Sequence, residues 1–423
     1  MYRGWWVVAG AFLVLAIAYG VQFSYGVFLP AMADSLGWSR AELSAPYSVF
    51  VAVYTGLSFA TGRLTDRIGP TRVIAAGAAC LALGYGLLST TTILWEPYLY
   101  LGLLAALGAS VAFVPCNATV IRWFVARRGL ALGIASSGVS AAAAFAPPLA
   151  GLLIEHFGWR TAMLSLALAG GISMAAAARL MARDPESHGL RPDGGGATPP
   201  GRTAESSSGA SSGETGSWTL SAALGTATFW TLLAALFCTW LVVFLPFVHL
   251  GAYGLDQGLS ALDAANLIGA IGLGGLIGRV TTGGITDRYG RVPGLVLALA
   301  LQALAFLGFG ASHSLGWLLG WAFLYGVGYS GVSVLFPALA GDLFGRRHIG
   351  DITGFLFGLG GIAAAAGPYF AGLLYDMSGE YLLAFLVASI LNSFALALLS
   401  AVRAPRAATR RPRTDRLPAG ATR

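Results

Sequence analysis

Apolar stretches of about twenty residues or more alternate with short polar breaks along almost the whole chain. They run near 5–30, 43–62, 73–93, 95–121, 129–154 and 160–182, then near 226–250, 261–282, 293–311, 314–341, 350–374 and 381–402. About twenty apolar residues in a helix cross a hydrocarbon layer of about 30 Å. In lipid every backbone polar group must be satisfied internally, which helices achieve within one segment. The pattern therefore predicts an all-α integral membrane protein with twelve transmembrane helices. One stretch breaks the rhythm. From Asp184 to Trp218 large apolar residues are almost absent, and Gly, Ser and Pro abound. It reads as a flexible tether. The expected organisation is a six-helix half over 1–183, a linker over 184–218, a second six-helix half over 219–402 and a basic tail over 403–423.

The two halves are copies. At an offset of 221 residues, Gly62-Arg-Leu-Thr-Asp66-Arg67-Ile-Gly69 meets Gly283-Gly-Ile-Thr-Asp287-Arg288-Tyr-Gly290. At the same offset, Pro147-Pro-Leu-Ala-Gly151-Leu-Leu-Ile-Glu155 meets Pro368-Tyr-Phe-Ala-Gly372-Leu-Leu-Tyr-Asp376, and Gly158 meets Gly379. Shared apolarity alone would not preserve an Asp-Arg pair together with Gly and Pro positions. Parallel six-helix repeats are an established plan for carriers.

Composition and charge support this picture. Hydrophobic residues make up 56% of the chain and charged residues 10%, against about 25% charged in a soluble domain. All 25 basic residues are Arg. They gather at Arg3, at Arg63, Arg67 and Arg72, at Arg122, Arg127 and Arg128, at Arg179, Arg183, Arg191 and Arg202, at Arg288 and Arg291, at Arg346 and Arg347, and in the tail. The alternate breaks hold only Arg40 and Arg160, with Asp34, Glu42, Glu96, Glu155, Asp256, Asp263, Asp376 and Glu380. By the positive-inside rule both termini are cytoplasmic, in a cell (inner) membrane. The net charge of +7 is thus a topology signal, and no nucleic-acid partner is expected. Cys80, Cys116 and Cys238 sit in apolar runs without metal-ligand spacing. The first apolar run, from Trp5, is expected to be retained as a helix. No P-loop pattern occurs, so an ion or substrate gradient must supply the energy. No cofactor, metal or enzymatic activity is expected.

The G-x-L-x-D-R-x-G pattern, taken with the duplication and central linker, resembles the loop signature of the major facilitator superfamily. Within it, four features resemble the monocarboxylate transporters and their oxalate/formate antiporter relatives. These are Gly4-Trp5-Trp6 with Tyr25-Gly-Val-Phe-Leu29, Trp123-Phe-Val-Ala-Arg-Arg-Gly-Leu-Ala131, Gly326-Val-Gly-Tyr329 through Pro337 to Asp342-Leu-Phe-Gly-Arg-Arg347, and Arg279 inside helix 8. The resemblance implies two pseudo-symmetric six-helix bundles whose helices 1, 4, 7 and 10 line a central cavity. There are departures. Arg3 stands where eukaryotic members carry an acid, and the chain has no Lys. Gly275 replaces an Asp one turn before the helix 8 Arg, so a proton mechanism using those groups does not transfer. Helix 11 lacks the basic residue of oxalate carriers, which favours a monoanion.

Arg279 is the sharpest chemical signal. It lies eight residues before Asp287, about 12 Å along a helix at about 1.5 Å per residue, hence within the bilayer. Placing Arg there costs about 2.5–3.5 kcal/mol on insertion scales. Snorkelling to the cytoplasmic surface is one reading. Clamping a substrate carboxylate in the guanidinium fork is the other. Asn117, Tyr25, Gln22 and Tyr329 are polar groups in apolar runs; each either serves substrate or bonds another helix. Phe336 is a candidate for the apolar side of a pocket, against ordinary packing. His249 and Asp256, seven residues apart near the outer end of helix 7, form a candidate proton relay, against a solvated loop. Asp66, Arg67, Asp287, Arg288 and Arg127 are candidates for gating at the cytoplasmic surface. The expected function is secondary transport of a small organic anion, a monocarboxylate, with a proton as coupled ion, by a monomer in the lipid bilayer. Efflux of drugs or other lipophilic compounds is the alternative, weakened by the absence of a mid-span acid. Anion exchange is a further alternative.

Overall fold

A computed structural model describes residues 2–193, 218–345 and 349–402. The basic tail, Arg346 and Arg347, and most of the predicted linker lie outside the described residues. Ten helices are long and apolar enough to span a membrane, and Arg40–Ile68, bent near residue 59, makes an eleventh. The twelfth comes from a 51-residue helix, Arg128–Ala178, which Gly158 divides. At about 1.5 Å per residue that helix would be roughly 75 Å long, more than twice the hydrocarbon thickness. Gly158 adopts φ 75°, ψ 161°, a region open essentially to glycine alone, and there the chain reverses.

The twelve spans are α1 (Gly4–Leu36), α2 (Arg40–Ile68), α3 (Pro70–Leu88), α4 (Tyr98–Trp123), α5 (128–157), α6 (159–178), α7 (Ala227–Asp256), α8 (Ala261–Tyr289), α9 (Arg291–Ala311), α10 (Leu315–Phe344), α11 (Ile349–Ser378) and α12 (Leu382–Ser400). No strand occurs among the described residues; Phe124 and Asp193 form one isolated bridge. The duplication is visible in the backbone. Gly37, Gly69 and Gly158 have φ of 70°, 88° and 75°, and their partners 221 positions on, Gly258, Gly290 and Gly379, have 79°, 90° and 75°. The same three reversals therefore recur in both halves.

Two expectations shift in detail. The Asp-Arg motif is the last turn of a helix rather than a loop. Asp66 and Arg67 belong to α2, the single residue Gly69 makes the turn, and Pro70 opens α3. Proline at a first helical position loses no hydrogen bond, so no loop is needed. The start of the predicted linker is also tied down. Asp193 accepts from Val125 N at 2.7 Å, its backbone is bonded to Trp123 and Ala126, and the Tyr2 hydroxyl donates to Arg191 O at 2.9 Å.

Within the first half, α1 packs on α5 and α6, and α3 packs on α6 through Gly171, whose Cβ would meet Ala82. Within the second, α10 packs on α8 and α9, and α9 on α12. The halves meet along three seams: α1 with α7, α2 with α11, and α5 with α8. Small residues make these seams, as is usual where helices approach without a hydrophobic driving force. A Cβ on Gly26 would land on the Phe247 carbonyl, and one on Gly272 would strike the backbone of Ala143 and Ala144. A Cβ on Gly372 would lie 2.9 Å from Ala41 Cα, and one on Gly151 2.8 Å from Ala265 Cβ. These contacts lie toward the end bearing Asp256 and Asp376, here called the acidic end. Toward the other, Arg-rich end, Gly56 of α2, Gly129 and Gly133 of α5, and Gly354 and Gly358 of α11 have nothing within 4 Å of such a Cβ. Among the described residues the closest contacts between the halves thus gather toward the acidic end.

Gly158→Ala should cost about 1–3 kcal/mol through backbone strain, whereas Gly133→Ala, in open helical surroundings, should leave stability equal or slightly higher. Thermal unfolding of the purified protein in detergent compares the two; equal effects would contradict the chain reversal at Gly158.

Candidate substrate site and the seal above it

Arg279 sits on α8 at the α5 seam. Its Nε donates to Ser140 Oγ of the opposite half at 3.0 Å. Gly275, one turn earlier, makes room: a Cβ there would come within 2.9 Å of the same Oγ. Among the described residues no carboxylate pairs with Arg279. The titratable groups within its electrostatic reach are instead the phenols of Tyr329 on α10 and Tyr19 on α1. Tyr19 in turn senses Tyr54 and Tyr47 of α2. Arg279, Tyr19, Tyr54 and Tyr329 are all half-buried, and the three tyrosines pack against the core. A buried guanidinium needs counter-charge or hydrogen bonds to offset its lost hydration. Here one hydroxyl supplies only part of that.

The other predicted site residues distribute unevenly. Tyr329 joins Arg279 and touches Phe247 edge-on, with centroids 5.4 Å apart. Gln22 and Tyr25 are fully buried and already partnered. Gln22 Nε2 donates to the Tyr47 hydroxyl at 3.3 Å, and the Tyr25 hydroxyl donates to Leu43 O at 2.7 Å while its ring stacks on Tyr47 at 5.2 Å. Both therefore fasten α1 to α2. Asn117 is half-buried and accepts from Ser136 of α5 at 3.5 Å. Phe336 is buried among apolar residues of the second half, such as Leu232, Leu295 and Leu339.

Toward the acidic end the seam between the halves closes in layers. Phe23 and Phe247 stack across the α1–α7 seam with centroids 4.3 Å apart. Beyond them lies His249, completely buried. Its Nε2 lies 2.9 Å from Pro368 O and 3.3 Å from Ser44 Oγ, and its Nδ1 3.0 Å from the Tyr381 hydroxyl. Pro368 O can only accept, which puts a proton on Nε2. Outermost is a residue that sequence reasoning passes over. Arg40, at the start of α2, makes two bonds to Asp256 at 2.6 and 2.7 Å. Its guanidinium lies over the Tyr375 ring at 3.8 Å and the Tyr381 ring at 5.1 Å. Asp376 of α11 accepts from the backbone N–H of Arg40 and Ala41 at 3.2 and 2.9 Å. A carboxylate at a helix N-terminus satisfies orphan donors and the helix dipole together. Thus Asp256 and Asp376 of one half grip the first turn of α2 of the other. The signal is present in the chain: Arg40 is one of only two Arg in the acid-bearing breaks.

At the Arg-rich end Asp66 pairs with Arg122 of α4, and Arg291 with Asp342 of α10 at 2.6 Å. Both pairs run within one half. Arg67 and Arg127 are exposed, and exposed Arg288 lies over its neighbour Tyr289. The side chain of Asp287 lies outside the described residues.

A duplicated bundle of membrane-spanning helices with a cation at the seam of its halves is the architecture of a membrane transporter. A Major Facilitator Superfamily model matches residues 11–309 and again 272–422, and the chain belongs to that superfamily. It is 31% identical over 399 residues to monocarboxylate transporter 11 of Mus musculus, covering 91% of this chain and 84% of the relative. It is 29% identical over 391 residues to monocarboxylate transporter 13 of Rattus norvegicus, with 91% and 85% covered. It is 26% identical over 420 residues to the MFS-type transporter pynF of Aspergillus niger, with 93% and 89% covered.

Removing one partner of the charged clamp should free the acidic end. Charge-assisted bonds are worth about 1.5–3 kcal/mol, so Asp256→Asn should raise the open population by roughly tenfold or more. A reporter cysteine, Ser44→Cys, labelled with a water-soluble maleimide, reads this as a comparable rise in labelling rate. An unchanged rate would show that the clamp does not hold this end shut.

Proposed function

We propose that the chain is a secondary carrier for a small organic anion, a monocarboxylate, working by alternating access with a proton as the coupled ion. The observation that carries this is Arg279: a guanidinium at mid-depth, at the seam of the two halves, with a hydroxyl but no carboxylate beside it among the described residues. A substrate carboxylate fits the remaining donors of its fork. Tyr329 lies within reach of the same cation, and Asn117 is half-buried on α4, one of the cavity-lining helices of the superfamily plan. Two relatives bear the name monocarboxylate transporter, which supports the same class. One cation without a second suits one carboxylate rather than two.

The Arg-rich end is assigned to the cytoplasm by the charge rule, so both termini are cytoplasmic and the described conformation opens inward. The membrane is taken to be the cell (inner) membrane, and the working unit a monomer. His249 is the proposed proton site. Pro368 O holds the Nε2 proton, and Nδ1 takes a second proton if the Tyr381 hydroxyl turns from donor to acceptor. Tyr381 also lies under Arg40, so a charge arriving at His249 is felt by the clamp to Asp256. Closure of the cytoplasmic end would fall to Asp66, Arg67, Arg127, Asp287 and Arg288.

Uptake of radiolabelled lactate into proteoliposomes tests the carboxylate clamp. Arg279→Ala, with expression unchanged, should lose at least 90% of uptake, about 1.4 kcal/mol or more, and Arg279→Lys should recover only part because the planar fork is gone. Full uptake by Arg279→Ala would sink the reading. For the proton site, His249→Gln should weaken uptake driven by an inward proton gradient while sparing lactate–lactate exchange. Equal loss in both modes would instead mark His249 as a structural residue.

A further inference from the structure

The hydrogen bond between Arg279 and Ser140 does more than satisfy one donor. A guanidinium has five N–H groups in a rigid plane. Two of its edges can grip a carboxylate with parallel bonds: the edge between Nε and one Nη, and the end formed by both Nη groups. Ser140 occupies Nε. The first edge is thereby blocked, and the end carrying both Nη groups is left as the only fork. The hydroxyl also fixes the roll of the plane, because Nε is the one nitrogen that cannot rotate away from the stem.

Ser140 is placed to do this with little freedom of its own. It is 3% exposed on α5, and its Oγ lies opposite the Gly275 backbone of α8, where a Cβ would reach 2.9 Å. The α5–α8 seam is thus tight at this point, one turn from Arg279. Its hydroxyl differs from those of Ser24, Ser58 and Ser165, which donate to the carbonyl four residues back at 2.8, 2.7 and 2.7 Å. The Ser140 hydroxyl accepts from Arg279 and donates to no acceptor among the described residues. It is therefore not committed to its own helix backbone and serves Nε as an acceptor.

We infer that Ser140 is a positioning residue for anion binding: from the opposite half, it presents the Nη end of the Arg279 guanidinium to the substrate carboxylate. The inference rests on the carboxylate clamp proposed above and assigns to it a partner across the seam. Because α5 and α8 belong to different halves, the orientation of the cation depends on how the halves stand to one another. Affinity for the anion is then set by the conformation of the seam and not by Arg279 alone.

The test is a double-mutant cycle in proteoliposomes with radiolabelled lactate. Ser140→Ala should raise KM about tenfold with the maximal rate held within about twofold, and Ser140→Thr, which keeps the hydroxyl, should restore KM in whole or part. In an Arg279→Lys background, where Nε and the fork are absent, Ser140→Ala should change KM less than twofold. Thermal unfolding of the empty protein should show that Ser140→Ala still folds cooperatively, with a small fall from the bond lost at Nε. An equal KM effect in both backgrounds would overturn the inference, since Ser140 would then act independently of Arg279. So would a KM unaffected by Ser140→Ala, or a fall confined to the maximal rate. The functional reading fails separately: if Arg279→Ala leaves uptake intact, or the unsubstituted protein takes up no lactate or related acid, the clamp itself is wrong and the role of Ser140 falls with it.

Discussion

The halves of this protein touch backbone to backbone, and the seal, the cleft and the setting of the buried cation all depend on that contact. At Gly26 and Gly272 the main chain of the other half sits where a Cβ would be, and at Gly372 it lies 2.9 Å from that position. Such contacts are the cheapest way to join helices in lipid, where apolar side chains gain nothing by leaving the hydrocarbon for one another. They are also easily undone, because they involve few interlocked side chains. A seam of glycines therefore permits two rigid bundles to meet and part. The side-chain locks are added on top: the aromatic stack of Phe23 and Phe247, the buried His249 and the Arg40 clamp.

Charge is arranged to match. The acidic end is closed by interactions that cross between halves, whereas Asp66–Arg122 and Arg291–Asp342 at the other end stay within one half. Crossing pairs fix the relative position of the bundles; internal pairs only stiffen each bundle. The clamp at Arg40 is also better protected from solvent, with side chains 15% and 30% exposed. Exposed ion pairs contribute about 0–1 kcal/mol, so the partly enclosed, bidentate pair lying over Tyr375 is the stronger of the two kinds.

Much of this is legible along the chain. Twelve apolar runs become twelve spans, and the 221-residue repeat reappears as matched glycine turns. Arg279 stands out because a cation in an apolar run has a cost that demands a reason. What periodicity cannot supply is which polar residues share a contact. Gln22 and Tyr25 look equivalent to Tyr329 as polar groups in lining helices, yet both are consumed in fastening α1 to α2. Tyr19 and Tyr54 draw no attention in the sequence, and Ser140 is an ordinary serine in a run of small residues. Arg40 reads as topology, because its partner Asp256 lies 216 positions away. Contacts between halves are set by packing in three dimensions, and no local pattern encodes them.

An unpaired cation at a moving seam also has a consequence for coupling under the proposed reading. Changing conformation draws the seam closed around Arg279 on one side and then on the other, and each passage removes water from the guanidinium. Dehydrating a charge without a partner is costly, and a carboxylate in the fork lowers that cost by pairing with it. The loaded carrier then crosses more readily than the empty one, which favours exchange of anion for anion. Net uptake needs some other event to ease the return of the empty form. A proton that leaves His249 on the cytoplasmic side removes a second positive charge from the same interior. It would also let Tyr381 donate to Nδ1 again, as in the arrangement with the acidic end closed. Anion and proton thus act on one balance, the positive charge held inside the seam, without ever needing to touch.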